Sequence, residues 1–252
     1  MSLSKKPYLA AAIIFLLSAY SIFFYLEDDL IIALTKEDGF FESIGAICFL
    51  IASIIFYTLF LKDKFGNNFR YLKTNKNLFY LFLCIIFFFG FGEEISWGQR
   101  IFHLKTPDII SEHNWQSEIN LHNLNMFIRK AREDQENSGL FMWFNIGRAF
   151  QAFWICYCII IPILSEYTKK ISIALDKIRL PIVPVWLGTM FAANYILSRI
   201  LLKLISNNMY RWIIEIKETN YAFLFALVSF YFYKRMKLII SHDKFHATQY
   251  TK

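Results

Sequence analysis

The sequence is poor in charge, in proline, in glycine and in cysteine for a chain of 252 residues. Asp, Glu, Lys and Arg together make up 19%, which excludes a disordered chain, because such chains are rich in charge. Five Pro and nine Gly exclude collagen-like and low-complexity sequences. Apolar residues, in contrast, reach 56%, with 28 Phe, and a soluble fold of this size has too little core to bury them. The composition therefore predicts a polytopic membrane protein.

The four cysteines all lie inside long apolar runs, at positions 48, 84, 156 and 158. None falls in a polar loop, so the sequence indicates no disulfide framework. Cys156 and Cys158 would point to different faces of a helix and do not form a metal-binding pair. At these positions we interpret the cysteines as small residues that pack against lipid or against other helices.

Six apolar runs are close to the length of about 20 residues that a helix needs to cross a bilayer. Strand-like alternation is absent, so an all-α integral membrane protein is expected. Lys5 and Lys6 precede the first run, but no small-residue cleavage site follows it, which indicates a retained anchor. The expected spans, within a single transmembrane domain over residues 1–252, are 8–26, 40–61, 78–97, 144–164, 181–202 and 212–233.

Charges outside these spans predict the orientation. If the N-terminus is cytoplasmic, the flanks on that side hold 16 Lys and Arg against four Asp and Glu. The positive-inside rule then gives six spans with both termini in the cytoplasm, in a bacterial cytoplasmic (inner) membrane. The net charge of +7 is explained by basic flanks that face anionic lipid, so membrane lipids are expected partners. No folded basic module is present that would suggest nucleic-acid binding.

Polar residues within the spans fall at one depth, in the half of the bundle that faces outward. They are Glu42, Glu93, Glu94, Asn145, Arg148, Asn194, Arg199, Glu215 and Glu218. Ionisable groups in a membrane mark either a functional site or a pairing network. A salt-bridge network that holds the helices in register and a chemical site both remain open.

The segment from Gly92 to Arg100, Gly-Glu-Glu-Ile-Ser-Trp-Gly-Gln-Arg, carries the strongest candidates. Glu93 and Glu94, together with His122 downstream, have the residue types of general acid–base catalysis. Guanidinium, amide and indole groups are expected to bind a substrate with an anionic head group; the candidates are Arg100, Arg148, Asn194, Arg199 and Trp97. A divalent metal such as zinc is a further hypothesis, with Glu94, Glu118 and His122 as ligands, because Glu118 and His122 share one helical turn.

The loop over residues 100–143 is long for a connection between spans. It retains large apolar residues, including Trp115, Leu121 and Trp143, which are unusual in a solvated linker. An amphipathic helix over 118–130 is therefore expected to lie along the outer surface as part of an ordered cap. This arrangement would direct His122 toward Glu93 or Glu94.

Two stretches carry a family resemblance: residues 92–100 and the sequence Glu-Ile-Asn-Leu-His-Asn-Leu at 118–124. Together they resemble the signature of a bacterial family of uncharacterised polytopic membrane proteins, with which no activity is associated. Glu93 and Glu94 are also distantly similar to the Glu-Glu motif of the CPBP (CAAX-protease-like) intramembrane enzymes. That motif has Arg after three residues, whereas five separate Glu94 from Arg100, and the histidine motifs of the family have no clean match here. The likeness implies an enzyme only weakly.

Three classes of function fit the sequence. The first is a membrane-embedded hydrolase or transferase that acts on a lipid, lipid-linked or envelope substrate from the outer side. The second is a non-catalytic module, such as an assembly factor, sensor or effector subunit, with membrane protein partners. The third is a proton- or ion-coupled transporter or flippase that uses the same carboxylates.

Overall fold

A computed structural model describes residues 3–36, 39–63, 76–99, 102–113, 119, 146–205 and 207–249. All regular secondary structure in these residues is helical, which confirms the expected all-α class. The α-helices are α1 Lys6–Tyr25, α2 Asp28–Thr35, α3 Phe40–Lys62, α4 Leu78–Glu94, α5 Asp108–His113, α6 Ile146–Ile155, α7 Ile161–Tyr167, α8 Lys169–Lys177, α9 Val185–Leu204 and α10 Tyr210–Gln249. A π-helical segment, Cys156–Ile160, joins α6 to α7, and single 3-10 turns lie at Ser96–Gly98 and Asn207–Met209.

Four helical segments among the described residues are long and apolar enough to cross a membrane. They are Lys6–Tyr25, Asp28–Lys62 (which contains α2 and α3), Gly147–Tyr167 and Val185–Leu204, and they coincide with four of the six expected spans. Of the other two expected spans, 78–97 corresponds to α4, which has 17 residues and is about 25 Å long. The span 212–233 corresponds to part of α10, which carries several charges near its start. Six spans and their orientation therefore stay predictions.

The central helix of the bundle is α10, although its sequence is the least apolar of the six. It packs against α1, α2, α3 and α9. Its buried side chains include Ile213, Ile216, Tyr221, Ala222, Leu224, Phe225, Ala226, Val228 and Phe232. A helix surrounded by other helices can hold polar groups that protein partners satisfy, whereas the outer helix α1 exposes Ile13, Ile14 and Leu17. The low mean hydropathy of α10 comes from polar residues before Tyr221 and from Lys234 onward, because residues 221–233 between them are almost all apolar.

Contacts between α3, α4 and α10 define the two ends of the bundle. The Thr219 hydroxyl on α10 donates to the carbonyl oxygen of Phe41 at the start of α3. The Phe56 and Phe232 rings, further along both helices, lie 6.2 Å apart, so α3 and α10 run in the same direction. In α4, which is antiparallel to α3, Glu94 lies beside the start of α3. We call this the Glu94 end, and the opposite end, where α3 stops, the Asp63 end.

The remaining long helices continue the alternation. Tyr8 of α1 packs on Tyr231 at the Asp63 end, and α1 then runs toward the Glu94 end. Phe150 of α6 contacts Tyr221, and the chain reaches the Asp63 end at α7. Trp186, at the start of α9, also packs on Tyr231, so α9 runs back toward the Glu94 end.

Aromatic side chains fill the middle of the bundle between the two ends. Phe56, Phe87, Phe191 and Phe225 are all fully buried. The Phe225 ring centroid lies 4.7 Å from that of Phe87 and 4.8 Å from that of Phe191. Such close aromatic packing adds to the stabilisation from burial alone. The layer separates the polar groups at one end from those at the other.

Candidate functional site

The chain reverses direction abruptly where α4 ends. The helix was expected to continue to residue 97, but it stops at Glu94 because Ser96 and Trp97 adopt left-handed backbone conformations, with φ of 47° and 54°. Such values cost a non-glycine residue about 1–3 kcal/mol and persist only where surrounding contacts enforce them. Gly98, with φ of 78°, completes the turn. The turn places Trp97 back against the helix that it leaves.

The indole of Trp97 holds Glu93 in place. Its Nε1 donates a hydrogen bond of 2.7 Å to the Glu93 Oε1, and the Glu93 side chain is only 7% exposed. The indole lies directly over Gly92, where an added Cβ would stand 2.9 Å from three ring carbons. Gly92 is therefore needed for the indole to reach Glu93. These three residues form one unit, which accounts for the glycine and tryptophan of the sequence motif.

The Glu94 carboxylate enters a gap between α3 and α10. Its Oε2 lies 3.8 Å from the position that a Cβ on Gly45 would occupy, and the Cα of Thr219 lies 3.7 Å from the same point. Thr219 is buried, with its hydroxyl oxygen 3.0 Å from the carbonyl of Phe41 and 3.1 Å from that of Glu215. The distances to the Cβ position of Gly45 are ordinary contacts, so the carboxylate lies beside Gly45 but does not require a glycine there. Sequence reasoning did not identify Gly45 or Thr219.

Further carboxylates surround Glu94. Among the described residues, the charged neighbours that act on it are all acidic: Glu42 on α3, Glu93 beside it, and Glu215 and Glu218 on α10. Arg211 approaches Glu215 to 3.9 Å at the exposed side of this group. Like charges repel one another unless a proton or a cation intervenes, and water at the exposed Glu218 and the partly exposed Glu215 reduces this repulsion. We call these five glutamates the carboxylate cluster.

The cationic residues expected at the site lie at its surface or outside the described residues. Arg148 near the start of α6 and Arg199 on α9 have exposed side chains. Arg100 lies outside the described residues. His103 is exposed, in a left-handed conformation with φ of 51°. Trp97, expected to bind substrate, is 41% exposed.

Asn194 is completely buried but serves a different network. Its Oδ1 accepts hydrogen bonds from the Tyr20 hydroxyl at 2.7 Å and from the Asn220 side chain at 3.1 Å. Its Nδ2 donates to the backbone carbonyl of Lys217 at 3.0 Å. The side chain thus fastens α1, α9 and α10 together. Tyr20 and Asn220 were not expected from the sequence, because one polar residue in an apolar run gives no information about its partner.

The proposed metal site and the cap fall largely on residues that the structure does not describe. Glu118, His122 and the helix expected over 118–130 lie outside the described residues. In the described part of the chain, no three His, Cys, Asp or Glu side chains are placed to hold a metal ion. One connection within the loop is visible: Gln99 donates to the Thr106 hydroxyl and accepts a 2.6 Å hydrogen bond from the Ile119 N–H. The loop therefore returns to the end of α4 at residues 106 and 119.

A second polar cluster lies at the Asp63 end. The Arg179 Nη2 donates to both carboxylate oxygens of Asp63, at 2.6 and 2.7 Å, and Asp63 is only 1% exposed. Asn77 donates to the Arg179 carbonyl at 2.7 Å, and Lys76 donates to the Asp63 carbonyl at 2.9 Å. From the sequence, Asp63 and Arg179 were both counted among the charges of the cytoplasmic flanks. The structure instead makes them a clasp between the end of α3 and the segment before α9.

Comparison with known proteins finds no family model, no curated protein and no solved structure that matches this chain. The resemblances drawn from residues 92–100 and 118–124 remain predictions. Function must be inferred from the chemistry of the sites themselves.

Proposed function

We propose that this chain is a six-span protein of the bacterial cytoplasmic membrane, with both termini in the cytoplasm and the Glu94 end in the outer leaflet. The long helices alternate in direction, which supports six passes. The first, α1, starts at the Asp63 end, and the last, α10, returns to that end. The positive-inside rule supports this orientation, because that end carries the basic flanks. Exposed Lys170 and Lys177 on α8 and the cation–π contact of Lys62 with Tyr233 belong to it.

The function that this geometry favours is that of a membrane-embedded enzyme, a hydrolase or transferase acting on a lipid or envelope substrate from the outer side. The observation that carries the proposal is the Glu94 carboxylate, which lies beside Gly45 and has four other glutamates as its charged neighbours among the described residues. A cluster that only joined helices would pair opposite charges. Glu94, whose charged neighbours among the described residues are all acidic, would instead hold a proton or lie beside a cationic group.

Glu93 and Glu94 suit the two roles of an acid–base pair because their surroundings differ. Glu93 accepts the indole N–H of Trp97, which holds its carboxyl group in place, and it would act as the base. Glu94 faces only acidic neighbours among the charged groups described and would hold the proton as the acid. Adjacent carboxyl groups in contrasting environments are a recurrent arrangement in acid–base enzymes.

Binding of an anionic head group is proposed for the rim of the site. Arg148 and Arg199 are exposed at the Glu94 end, at the depth where lipid head groups lie. Guanidinium groups bind phosphate oxygens in bidentate fashion. Contributions from Arg100 and His122, and a zinc site with Glu94, Glu118 and His122, remain hypotheses. In this arrangement the phosphate stays at the rim, away from the carboxylates.

Proton- or ion-coupled transport is the second candidate, because the carboxylate cluster could also load a proton or a cation. The buried aromatic layer of Phe56, Phe87, Phe191 and Phe225 favours access from one side over a continuous path. A non-catalytic role is less favoured, since the left-handed turn and the crowded carboxylates both lower stability.

The test is activity in vesicles made from total bacterial lipid extract, with lipids quantified by mass spectrometry. Wild-type protein should convert one lipid or lipid-linked species, and Glu94→Gln should lower the rate at least about 100-fold, the scale of general acid–base catalysis. Glu166→Gln, at an exposed glutamate on α7, is the matched control and should act as wild type. Identical lipid profiles with wild type and Glu94→Gln would contradict the proposal that the protein is an enzyme. Ion flux lost only in Glu94→Gln would favour transport.

A further inference from the structure

The π-helical segment Cys156–Ile160 packs closely against α9. A Cβ at Gly188 would collide with the carbonyl oxygen of Cys158, so only glycine permits this approach. Cys158 is consequently buried completely. π-Helical segments insert one residue into a helical turn and often mark functional positions. The other side of the same segment, which carries Cys156, is exposed.

On that other side lies a groove of about 210 Å³ between α4 and the α6–α7 helix. Its walls include Phe79 and Phe82 of α4, Cys156 and Ile161 of the second helix, and Leu180. Tyr157 also lines it, but its hydroxyl donates to the Pro181 carbonyl at 2.9 Å. The groove therefore offers an incoming group an apolar surface.

The groove opens between helices that face hydrocarbon. Phe82 is 55% exposed and Ile160 is 43% exposed beside it. The surroundings at this depth are therefore lipid chains, which makes lipid the occupant with the most direct access. The volume is below the roughly 300–1,000 Å³ of sites that enclose whole small molecules, and suits part of one acyl chain.

The helix α8, which carries basic side chains, ends next to the groove. Phe79 and Leu180 are brought together there by the hydrogen bond from Asn77 to the Arg179 carbonyl. The backbone N–H of Leu180 bonds to the carbonyl of Leu175, which folds the end of α8 against the same point. α8 has no buried residue, as expected of a helix lying along the membrane surface. On it, the exposed Lys170 and Lys177 are seven residues apart and share a face.

We propose that this groove binds one acyl chain of an anionic glycerophospholipid, with its phosphate held by Lys170 and Lys177. The apolar walls select a hydrocarbon chain, and the lysines select a negative head group. Basic patches beside grooves between transmembrane helices are a general solution for such lipids. The site lies at the Asp63 end and does not depend on the chemistry proposed for Glu94.

Native mass spectrometry of the purified full-length protein in detergent tests this proposal. The protein is titrated with phosphatidylglycerol and with phosphatidylcholine that carries the same acyl chains. One phosphatidylglycerol should bind about tenfold or more tightly than phosphatidylcholine. Lys170→Gln with Lys177→Gln should weaken phosphatidylglycerol binding roughly 30-fold, from about fivefold per lysine. Cys156→Trp, which fills the groove, should abolish the binding of both lipids.

Two control variants carry matched changes elsewhere. Lys5→Gln with Lys6→Gln removes two exposed charges before or at the start of α1, and Ile196→Trp enlarges an exposed side chain on α9. Both should bind phosphatidylglycerol as wild type does. Equal affinity of the wild type for the two lipids would overturn the selection for negative charge. Lipid binding retained in Cys156→Trp would show that the groove is not the binding site.

Alkylation of Cys156 in the wild type gives a readout that needs no variant. The Cys156 thiol is exposed in the groove, whereas Cys48 and Cys158 are buried. Phosphatidylglycerol should slow the reaction of Cys156 with N-ethylmaleimide several-fold more than phosphatidylcholine does, measured by peptide mass spectrometry. An unchanged rate at saturating phosphatidylglycerol would contradict the proposal, even if Cys156→Trp does not fold.

Discussion

The two ends of the bundle hold polar groups that differ in burial and in charge balance. At the Asp63 end, one buried carboxylate meets one guanidinium through two hydrogen bonds. At the Glu94 end, the carboxylate cluster contains five glutamates from three helices, of which Glu218 is exposed, and the charged neighbours of Glu94 among the described residues are all acidic. About 25 Å of helix separates the clusters, from Gly45 to Lys62.

This difference separates a cluster that maintains the fold from one suited to chemistry. A buried ion pair is costly to break, because the remaining partner keeps its charge without compensation. Crowded carboxylates destabilise the fold that holds them, unless a proton or a cation is bound. Such an arrangement is expected where function requires it, as is the left-handed turn at Ser96 and Trp97.

The largest effect is expected at the Asp63 end. Asp63→Asn should lower the free energy of unfolding by about 3–5 kcal/mol, because it leaves the Arg179 guanidinium partly buried without its counter-ion. Thermal unfolding in a fixed detergent measures this. Asp63→Leu combined with Arg179→Met should recover much of the loss, since the pair is then replaced by apolar groups. A double variant as unstable as Asp63→Asn would contradict the role of uncompensated charge.

A smaller effect is expected when the indole hydrogen bond at the Glu94 end is removed. Trp97→Phe should lower the free energy of unfolding by about 1–2 kcal/mol, because Glu93 loses its bond to Nε1. Trp212→Phe, at a half-buried indole on α10, is the control and should change it by less than about 1 kcal/mol. In the vesicle assay, Trp97→Phe should reduce activity, and Trp212→Phe should not. Equal loss of activity in both variants would show that Trp97 has no specific role in the site.

The two glycines at the Glu94 end should respond in opposite directions. Gly92→Ala places a Cβ 2.9 Å from the Trp97 ring and should destabilise by about 1 kcal/mol, with displacement of the indole from Glu93. Gly45→Ala meets its nearest atoms at 3.7 Å, an ordinary contact, and should stabilise α3 by up to about 1 kcal/mol. Tryptophan fluorescence should shift in Gly92→Ala alone. A shift in Gly45→Ala as well would show that the gap beside Glu94 is tighter than described.

The sequence predicts the helices of this fold better than their arrangement. Runs such as 40–61 and 181–202 lie close to α3 and α9, because a continuous apolar run has few alternatives to a helix in a membrane. The central place of α10 was not predictable, since a buried helix and a marginal span both have moderate hydropathy. The early end of α4 depends on left-handed residues at Ser96 and Trp97, for which neither residue type has a preference.

The candidate site was predictable in part. Glu93 and Glu94 stand out because adjacent carboxylates in an apolar run are costly. Gly45 and Thr219, which enclose Glu94, give no such signal, because a small residue in a helix usually serves packing. Asp63 was counted with the flank charges because it follows the last apolar residues of its run. Its burial depends on Arg179, more than 100 residues away in sequence.

The most direct test compares Glu94→Gln with Asp63→Asn in one thermal unfolding experiment. Both changes remove one carboxylate from a polar cluster and replace it with an amide of almost the same shape. The free energy of unfolding should fall by about 3–5 kcal/mol in Asp63→Asn, and it should stay the same or rise in Glu94→Gln, because like-charge repulsion is relieved. If Glu94→Gln proves as destabilising as Asp63→Asn, Glu94 holds the helices together, and the distinction between the two ends is wrong.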